Sequence, residues 1–88
     1  MKFKLSGNLL RFSGFRGQLD VDAATVELGI HGLVKECPDL RPVLLDAHGR
    51  VRTVHRLFLN GDLLLREDLG QVTGPGDEVT ILTAIAGG

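Results

Sequence analysis

GPGDEVTILTAIAGG, residues Gly74 to Gly88, combines a turn, a strand and a short glycine end. Gly74 to Asp77 have the glycine and proline content of a tight turn. Glu78 to Ala86 carry apolar side chains on both faces, which predicts a central strand or one partly covered by a partner. The stretch therefore predicts a firmly held strand that leads into a flexible tail at about residues 85–88.

A hairpin is predicted just before this stretch. Asn60-Gly61 is the typical dipeptide of a type I′ turn, because both central positions of that turn need positive φ. Val51 to Leu59 is a candidate for the strand that enters the turn, and Leu63 to Leu65 for the short arm that leaves it.

The middle of the chain has the period of a helix. Thr25 is a suitable N-cap and Pro38 ends the helix, while Gly29 and Gly32 weaken it by about 1 kcal/mol each relative to alanine. These two glycines leave the regularity of the helix open. Its predicted apolar stripe consists of Val26, Ile30, Leu33, Val34 and Cys37.

The opening of the chain has the period of a strand. Apolar residues alternate with polar ones from Lys2 to Leu10. Gly14 to Gly17 then predict a turn and Gln18 to Val21 a returning strand. The element order is therefore hairpin, helix, strand, hairpin arm and final strand. A helix packed across one face of a mixed sheet buries these elements economically.

This order is that of the β-grasp, or ubiquitin-like, roll. We therefore expect an α+β fold in which one main helix packs across a mixed sheet of four to five strands. We found no linker and no repeat, so we expect residues 1–88 to form a single domain.

The composition excludes several functions. Ten Lys and Arg against eleven Asp and Glu give a net charge of −1, and the chain has four Phe but no Tyr or Trp. It therefore lacks both the electrostatic field and the stacking surfaces of a nucleic-acid-binding protein. The apolar runs are far shorter than the roughly 20 residues of a membrane span. A single cysteine and the lack of a leader pattern predict a protein of the reducing cytoplasm.

The tail is a candidate reactive site. The terminal carboxyl of Gly88 has an ordinary pKa of about 3.5, so at neutral pH it is an anion that resists nucleophiles. Attack of this carboxylate on the α-phosphate of ATP would convert the carboxyl group into an activated mixed anhydride. The sequence has no GxxxxGK[ST] motif, so we expect ATP to be bound by a partner and no cofactor by this chain. Gly87 would let the tail enter a narrow channel, since it has no Cβ.

At this point the sequence resembles the ThiS/MoaD family of ubiquitin-like sulfur carriers, and among them the MoaD and CysO type. The resemblance covers nearly the whole chain. It is carried by Lys2 to Arg11, Thr25-Val26, Asn60-Gly61, Pro75 to Val79 and Ala86-Gly87-Gly88.

The resemblance implies that an E1-like enzyme of the MoeB or ThiF type adenylates Gly88. A sulfurtransferase or cysteine desulfurase would then supply sulfur for a thiocarboxylate, and a synthase would accept it. The residues expected to contact partners are Ile85, Ala86, Gly87, Leu63 and Leu82. For Leu63 and Leu82, ordinary core packing is an equally good interpretation.

Other functions stay open at this point. The chain is also compatible with the small subunit of a molybdopterin synthase, or with a ubiquitin-like modifier or adaptor. The sulfur acceptor, in a pathway to cysteine, a specialised thio-metabolite, molybdopterin or thiamin, cannot be identified from the residues.

The histidines, the single cysteine and three arginines are the other candidate functional groups. His31, His48 and His55 have no metal-ligand spacing, so we expect no metal site. Cys37 is better explained as a buried side chain than as a nucleophile. Three further residues, Arg50, Arg52 and Arg56, are better explained as a solvated edge than as a docking patch.

Overall fold

The computed structural model describes residues 1–83. Within them no helix is long and apolar enough to cross a membrane. The strands and helices are β1 (Lys2–Leu5), β2 (Gln18–Asp20), α1 (Val26–Glu36), α2 (Arg41–Leu44), β3 (His55–Leu59), β4 (Asp62–Leu64) and β5 (Glu78–Thr83). Three short 3-10 helices occupy the connections: Gly7–Phe12, Pro38–Leu40 and Arg66–Asp68.

The strands form one mixed sheet in the order β2-β1-β5-β3-β4. β5 pairs in parallel with β1 and antiparallel with β3, while β2 and β4 are the edge strands. The predicted central position of the last strand is confirmed, and so is the α+β, β-grasp architecture. The parallel pair also means that β1 and β5 end at the same edge of the sheet.

The main helix begins and ends where the sequence predicts. The side chain of Thr25 accepts a hydrogen bond from the Leu28 amide at 3.2 Å, which caps α1. Cys37 is the C-cap residue of α1, directly before Pro38. All five residues of the predicted apolar stripe are buried, and α1 is continuous through Gly29 and Gly32.

Burial separates the two faces of the sheet. The face toward α1 carries the core side chains of the central strands. The opposite face, which we call the open face, carries polar and partly exposed side chains. The core residues of β1, β3 and β5 are Phe3, Leu5, Leu57, Val79 and Ile81.

The turn between β3 and β4 confirms the hairpin prediction. Asn60 has φ 52° and Gly61 has φ 90°, as a type I′ turn requires. The Asn60 side chain also donates to Asp77 Oδ1 at 2.9 Å and accepts from the Glu78 amide at 2.9 Å. The asparagine therefore ties this turn to the start of β5.

The prediction of a strand from Lys2 to Leu10 is wrong in its second half. β1 ends at Leu5, and the chain turns at Gly7, where φ is +61°, into the 3-10 helix Gly7–Phe12. Leu9 belongs to this helix, and its side chain is fully buried in the core. A buried residue four positions after Leu5 fits a strand pattern and a helical one equally well, which explains the error.

The prediction of a strand over Val51 to Leu59 is also too long. The amide of His55 donates to the carbonyl oxygen of Arg52 at 3.2 Å and forms a turn, so β3 begins only at His55. Val51 forms an isolated bridge with Leu45 instead. The predicted extension of the last strand to Ala86 lies outside the described residues.

Candidate functional site

The tail predicted to be reactive, Ile85, Ala86, Gly87 and Gly88, lies outside the described residues. The structure does describe the strand that precedes it. β5 is hydrogen-bonded to a neighbouring strand on both sides, and Thr83 is its last described residue. The predicted tail therefore follows a strand that is hydrogen-bonded to a neighbour on each side.

A buried histidine fixes the end of β5. His55 faces the core at the start of β3, opposite Thr83. Its Nε2 lies 2.8 Å from the carbonyl oxygen of Val43, and its Nδ1 lies 3.1 Å from Thr83 Oγ1. Because a carbonyl oxygen only accepts, Nε2 carries a proton and donates to Val43, while Nδ1 shares a hydrogen bond with the Thr83 hydroxyl. The pair joins α2, β3 and β5 at the base of the tail.

A groove of about 320 Å³ lies beside this base. It is bounded by the segment between β1 and β2 on one side and by the start of β3 on the other. Phe12 and Val54 are partly exposed apolar residues at its wall, and Arg11 is an exposed cation there. The groove places apolar surface and positive charge next to Thr83, the last described residue of β5.

Sequence reasoning missed this groove. Phe12 lies between the predicted first strand and the predicted turn at Gly14, Val54 lies in a predicted strand, and both are distant in sequence from Thr83. The parallel pairing of β1 with β5 brings the segment after β1 to the same end as the tail. The available signal was the β-grasp order itself, because that order makes the first and last strands neighbours.

Leu63 and Leu82 both lie on the open face. Leu63 is opposite Phe58 in β4, and Leu82 is opposite Arg56 in β5. Their residues are 55% and 42% exposed, so the alternative of core packing is excluded for both. With the partly exposed Phe58, they give this face an apolar area between the edge strand and the central strand. The arrangement suits a docking surface close to the tail.

One pair of opposite charges on the open face is joined by a hydrogen bond. Lys4 Nζ lies 2.7 Å from Glu78 Oε1, across β1 and β5. This hydrogen bond is the main reason why the pKa of Glu78 lies below its ordinary value. Both side chains are about two-fifths exposed, so the pair adds little to stability.

The arginines of the 50–56 segment are all exposed, as a solvated edge would be. Two of them are nevertheless oriented by main-chain carbonyls. Arg52 Nε donates to Pro42 at 3.0 Å, and Arg56 Nη1 donates to Thr53 at 2.7 Å. Within residues 1–83 neither forms an ion pair with a carboxylate, and Arg56, which lies opposite Leu82, therefore adds positive charge beside it on the open face.

Cys37 and the histidines do not form a second site. Cys37 is buried at the end of α1 and accepts a hydrogen bond from Arg16 Nη2 at 3.0 Å. Among the described residues no three His, Cys, Asp or Glu side chains are grouped as metal ligands.

A wider groove of about 650 Å³ lies on the other side of the sheet, between α1 and the 66–70 segment. Ile30 and Leu69 line it together with the exposed side chains of Glu27, His31 and Arg50. These polar groups make no hydrogen bond through their side chains within the described part of the chain, so they form no organised ligand site.

The chain is similar to several solved structures. SAMP1 from Haloferax volcanii is 29% identical, with a TM-score of 0.83 over 99% of this chain and 97% of that one. The BexX/CysO complex of Amycolatopsis orientalis contains a chain that is 21% identical, with a TM-score of 0.83 over 99% and 98%. Urm1 from Sulfolobus solfataricus is 17% identical, with a TM-score of 0.76 over 94% and 99%.

No protein-family model matches the sequence. No curated protein matches it significantly. The structural neighbours are small ubiquitin-like proteins, and CysO is of the type that the sequence resembled. The predicted resemblance is therefore confirmed at the level of the structure, as is the fold.

Proposed function

We propose that this chain is a ubiquitin-like sulfur carrier whose reactive group is the terminal carboxylate of Gly88. One observation carries the proposal: a glycine pair follows the central strand of a fold shared with SAMP1 and CysO over almost the whole chain. β5 gives the tail a rigid base, and a glycine end allows close approach by another protein's backbone.

The first step is activation by a partner. An oxygen of the Gly88 carboxylate attacks the α-phosphate of ATP, forms an acyl-phosphate bond and releases pyrophosphate. ATP is bound by an E1-like adenylating enzyme of the MoeB or ThiF type, because this chain has no phosphate-binding motif of its own. The carrier itself contributes the carboxylate and the surfaces that position it.

The second step exchanges oxygen for sulfur. A hydrosulfide attacks the acyl carbon and AMP leaves, so that a thiocarboxylate stands at Gly88. If a sulfurtransferase or cysteine desulfurase provides a persulfide instead, the product is an acyl disulfide, and a thiol must reduce it to free the thiocarboxylate. In the active site of a synthase, the thiocarboxylate sulfur then attacks the acceptor as a nucleophile. The chain is in this scheme a co-substrate of enzymes.

The open face is the proposed contact with the activating enzyme. Leu63 and Leu82 offer exposed apolar side chains there, and Arg56 offers a positive charge beside them. Apolar contacts with a charged rim are typical of protein interfaces. The BexX/CysO complex is a precedent for a partner protein bound to a chain of this fold.

A second candidate function uses the same activated carboxyl. The structural neighbours include small archaeal modifier proteins, which favours attachment of Gly88 to amines of other proteins. A third arrangement, the small subunit of a molybdopterin synthase, differs from a free carrier only in the permanence of its partner.

Intact-protein mass spectrometry separates the sulfur carrier from the protein modifier. The chain is incubated with ATP, a purified E1-like enzyme and a sulfur donor. A mass increase equal to the exchange of one oxygen for sulfur supports the carrier, while covalent attachment to lysines of added proteins supports the modifier. Deletion of Gly88 is the control, because it removes the reactive carbon and leaves residues 1–83 unchanged. Sulfur transfer by this truncated chain would overturn the proposal.

A further inference from the structure

The turn from Ser13 to Arg16 has an unusual residue at its third position. Gly14 has φ +68° and Phe15 has φ +63°, and the Arg16 amide donates to the Ser13 carbonyl oxygen at 3.4 Å. Two consecutive left-handed residues are the signature of a type I′ turn, in which glycine is favoured at the second of them. A bulky aromatic residue in this conformation is a genuine outlier.

Core packing does not explain the phenylalanine. Phe15 is 74% exposed, whereas the hairpin turn at Asn60 places the ordinary glycine, Gly61, at the equivalent position. The chain thus holds a large apolar ring in solvent, on a backbone that glycine would adopt at lower cost. Strained residues that the surrounding structure maintains are concentrated at functional positions.

The surrounding hydrogen bonds do maintain this turn. The Phe15 amide donates to the Leu10 carbonyl oxygen at 2.7 Å. The buried Ser13 hydroxyl donates to the Arg16 carbonyl oxygen at 2.9 Å. The Arg16 guanidinium reaches the end of α1, where it lies 3.0 Å from Cys37 Sγ. Phe15 is therefore presented on a fixed backbone, which lowers the entropic cost of using it in binding.

The turn is located at the end of the sheet where β5 reaches Thr83. It belongs to the connection that follows β1, and β1 ends at the same edge as β5. The groove beside Thr83 is lined by Arg11 and Phe12 of this same connection. A protein that binds the chain close to Thr83 therefore comes next to this connection.

We propose that Phe15 is an aromatic contact for the enzyme that activates the tail, and that its ring enters an apolar cavity on that enzyme. This inference rests on the function proposed above, because it identifies the partner as the protein that binds the tail. Arg11 is exposed and forms no ion pair within residues 1–83, so we expect carboxylates at the rim of that cavity. Buried aromatic residues with a charged neighbour are typical of the residues that dominate binding.

The test compares four variants in binding to a purified E1-like adenylating enzyme. Phe15→Gly and Phe15→Asn remove the ring but suit positive φ, and Phe15→Trp restores an aromatic side chain. Val72→Asn is the matched control, since Val72 is 79% exposed and bridges to Thr25 at the start of α1, near the opposite end of the sheet. Calorimetry gives the Kd, adenylation kinetics give KM and kcat, and thermal unfolding gives the Tm.

For Phe15→Gly and Phe15→Asn we expect the Kd and KM to rise about tenfold or more, with kcat unchanged at saturation. We expect the Tm of Phe15→Gly to stay level or rise by up to about 4 °C. Phe15→Trp and Val72→Asn should bind like the wild type. A variant that binds more weakly than the wild type but is no less stable identifies Phe15 as a contact residue and not as a structural one.

Two results would overturn the inference alone. An unchanged Kd in Phe15→Gly means that the ring does not touch the partner, even if Gly88 is adenylated normally. A Tm lowered by more than about 4 °C means that the ring supports the fold. Conversely, if Phe15→Gly weakens binding but the wild-type chain is never adenylated, the ring is still a binding contact, whereas the proposed function fails and with it the role of this partner as the activating enzyme.

Discussion

A Cβ atom placed on Gly29 of α1 would lie 2.9 Å from Cζ of Phe3 in β1. Real Cβ atoms essentially never approach another heavy atom so closely. Phe3 is fully buried and cannot move aside without disturbing the core. The missing side chain at position 29 therefore sets the short distance between the helix and the sheet, and it accounts for a glycine in the middle of a helix.

Gly29→Ala should destabilise the protein although alanine is the better helix former. The gain in helix propensity is about 1 kcal/mol, whereas overpacking of a core costs about 1 to 3 kcal/mol. We expect a net loss of about 1 kcal/mol and a Tm lower by about 4 to 8 °C. Gly70→Ala is the control, because its Cβ would meet nothing within 4 Å. A Gly29→Ala variant more stable than the wild type would contradict the close packing of α1.

Local signals explain why this helix could be predicted from the sequence. Thr25, Pro38 and the apolar stripe between them act within one element, and so do Asn60 and Gly61 in their turn. Gly29 was recognised as a helix weakener, but the reason for it required the position of Phe3, which comes from another part of the chain. The sequence therefore predicted where α1 lies but not how close it lies to the sheet.

The surroundings of Thr83 and the candidate contact surface were less predictable for the same reason. Leu63 and Leu82 were selected from their positions near a turn and the tail, but an alternating pattern does not identify which face is buried. The contact between His55 and Thr83, and the groove beside them, depend on strand pairing between distant segments. Neither the composition nor the hydrophobic period singles out Phe15, because the feature that distinguishes this residue is its positive φ angle.

Asp77 should make the stability of the protein sensitive to acid. The hydrogen bond from the Asn60 side chain, followed by one from the Gly74 amide, lowers the pKa of Asp77. A lowered pKa in the folded state stabilises the protein above the ordinary aspartate pKa of about 3.9, and this contribution is lost as the pH falls through the folded-state value.

Urea unfolding of Asp77→Asn between about pH 7 and pH 2 tests this expectation. The wild type should exceed the variant in stability near neutral pH, and the difference should shrink below about pH 4. Asp39→Asn is the control, since Asp39 is exposed and its side chain makes no hydrogen bond within residues 1–83. A constant difference at all pH values would mean that the Asp77 charge does not support the fold.

Thr83→Val should loosen the base of the tail. The substitution leaves Nδ1 of the buried His55 without its hydroxyl partner, which costs about 1 to 2 kcal/mol. We expect a Tm lower by at least about 4 °C. Thr80→Val is the control on the same strand, because the Thr80 hydroxyl bonds to no other residue of the described chain. Equal unfolding temperatures for the two variants would show that the contact with His55 is not stabilising.

Leu63→Asp and Leu82→Asp should weaken binding to the activating enzyme without unfolding the chain. Both residues are on the open face, and exposed substitutions usually change stability by less than about 0.5 kcal/mol. Loss of an apolar contact together with burial of a carboxylate should raise the Kd by about tenfold or more. Leu28→Asp is the matched control, because Leu28 is 55% exposed on α1, on the other side of the sheet. If Leu28→Asp weakens binding equally, the open face is not the contact surface.

Gly87→Val should block activation of the tail while leaving the Tm unchanged. Substitutions at a chain end affect stability little. A β-branched side chain restricts the backbone conformation and makes the tail wider next to the reactive carbon. A displacement of the carboxylate by about 1 Å is expected to lower kcat/KM for adenylation by about 100-fold. Gly87→Ala, with a single methyl group, should give an intermediate loss. Normal adenylation of Gly87→Val would refute a narrow channel in the enzyme, whereas deletion of Gly88 would still test the carboxylate itself.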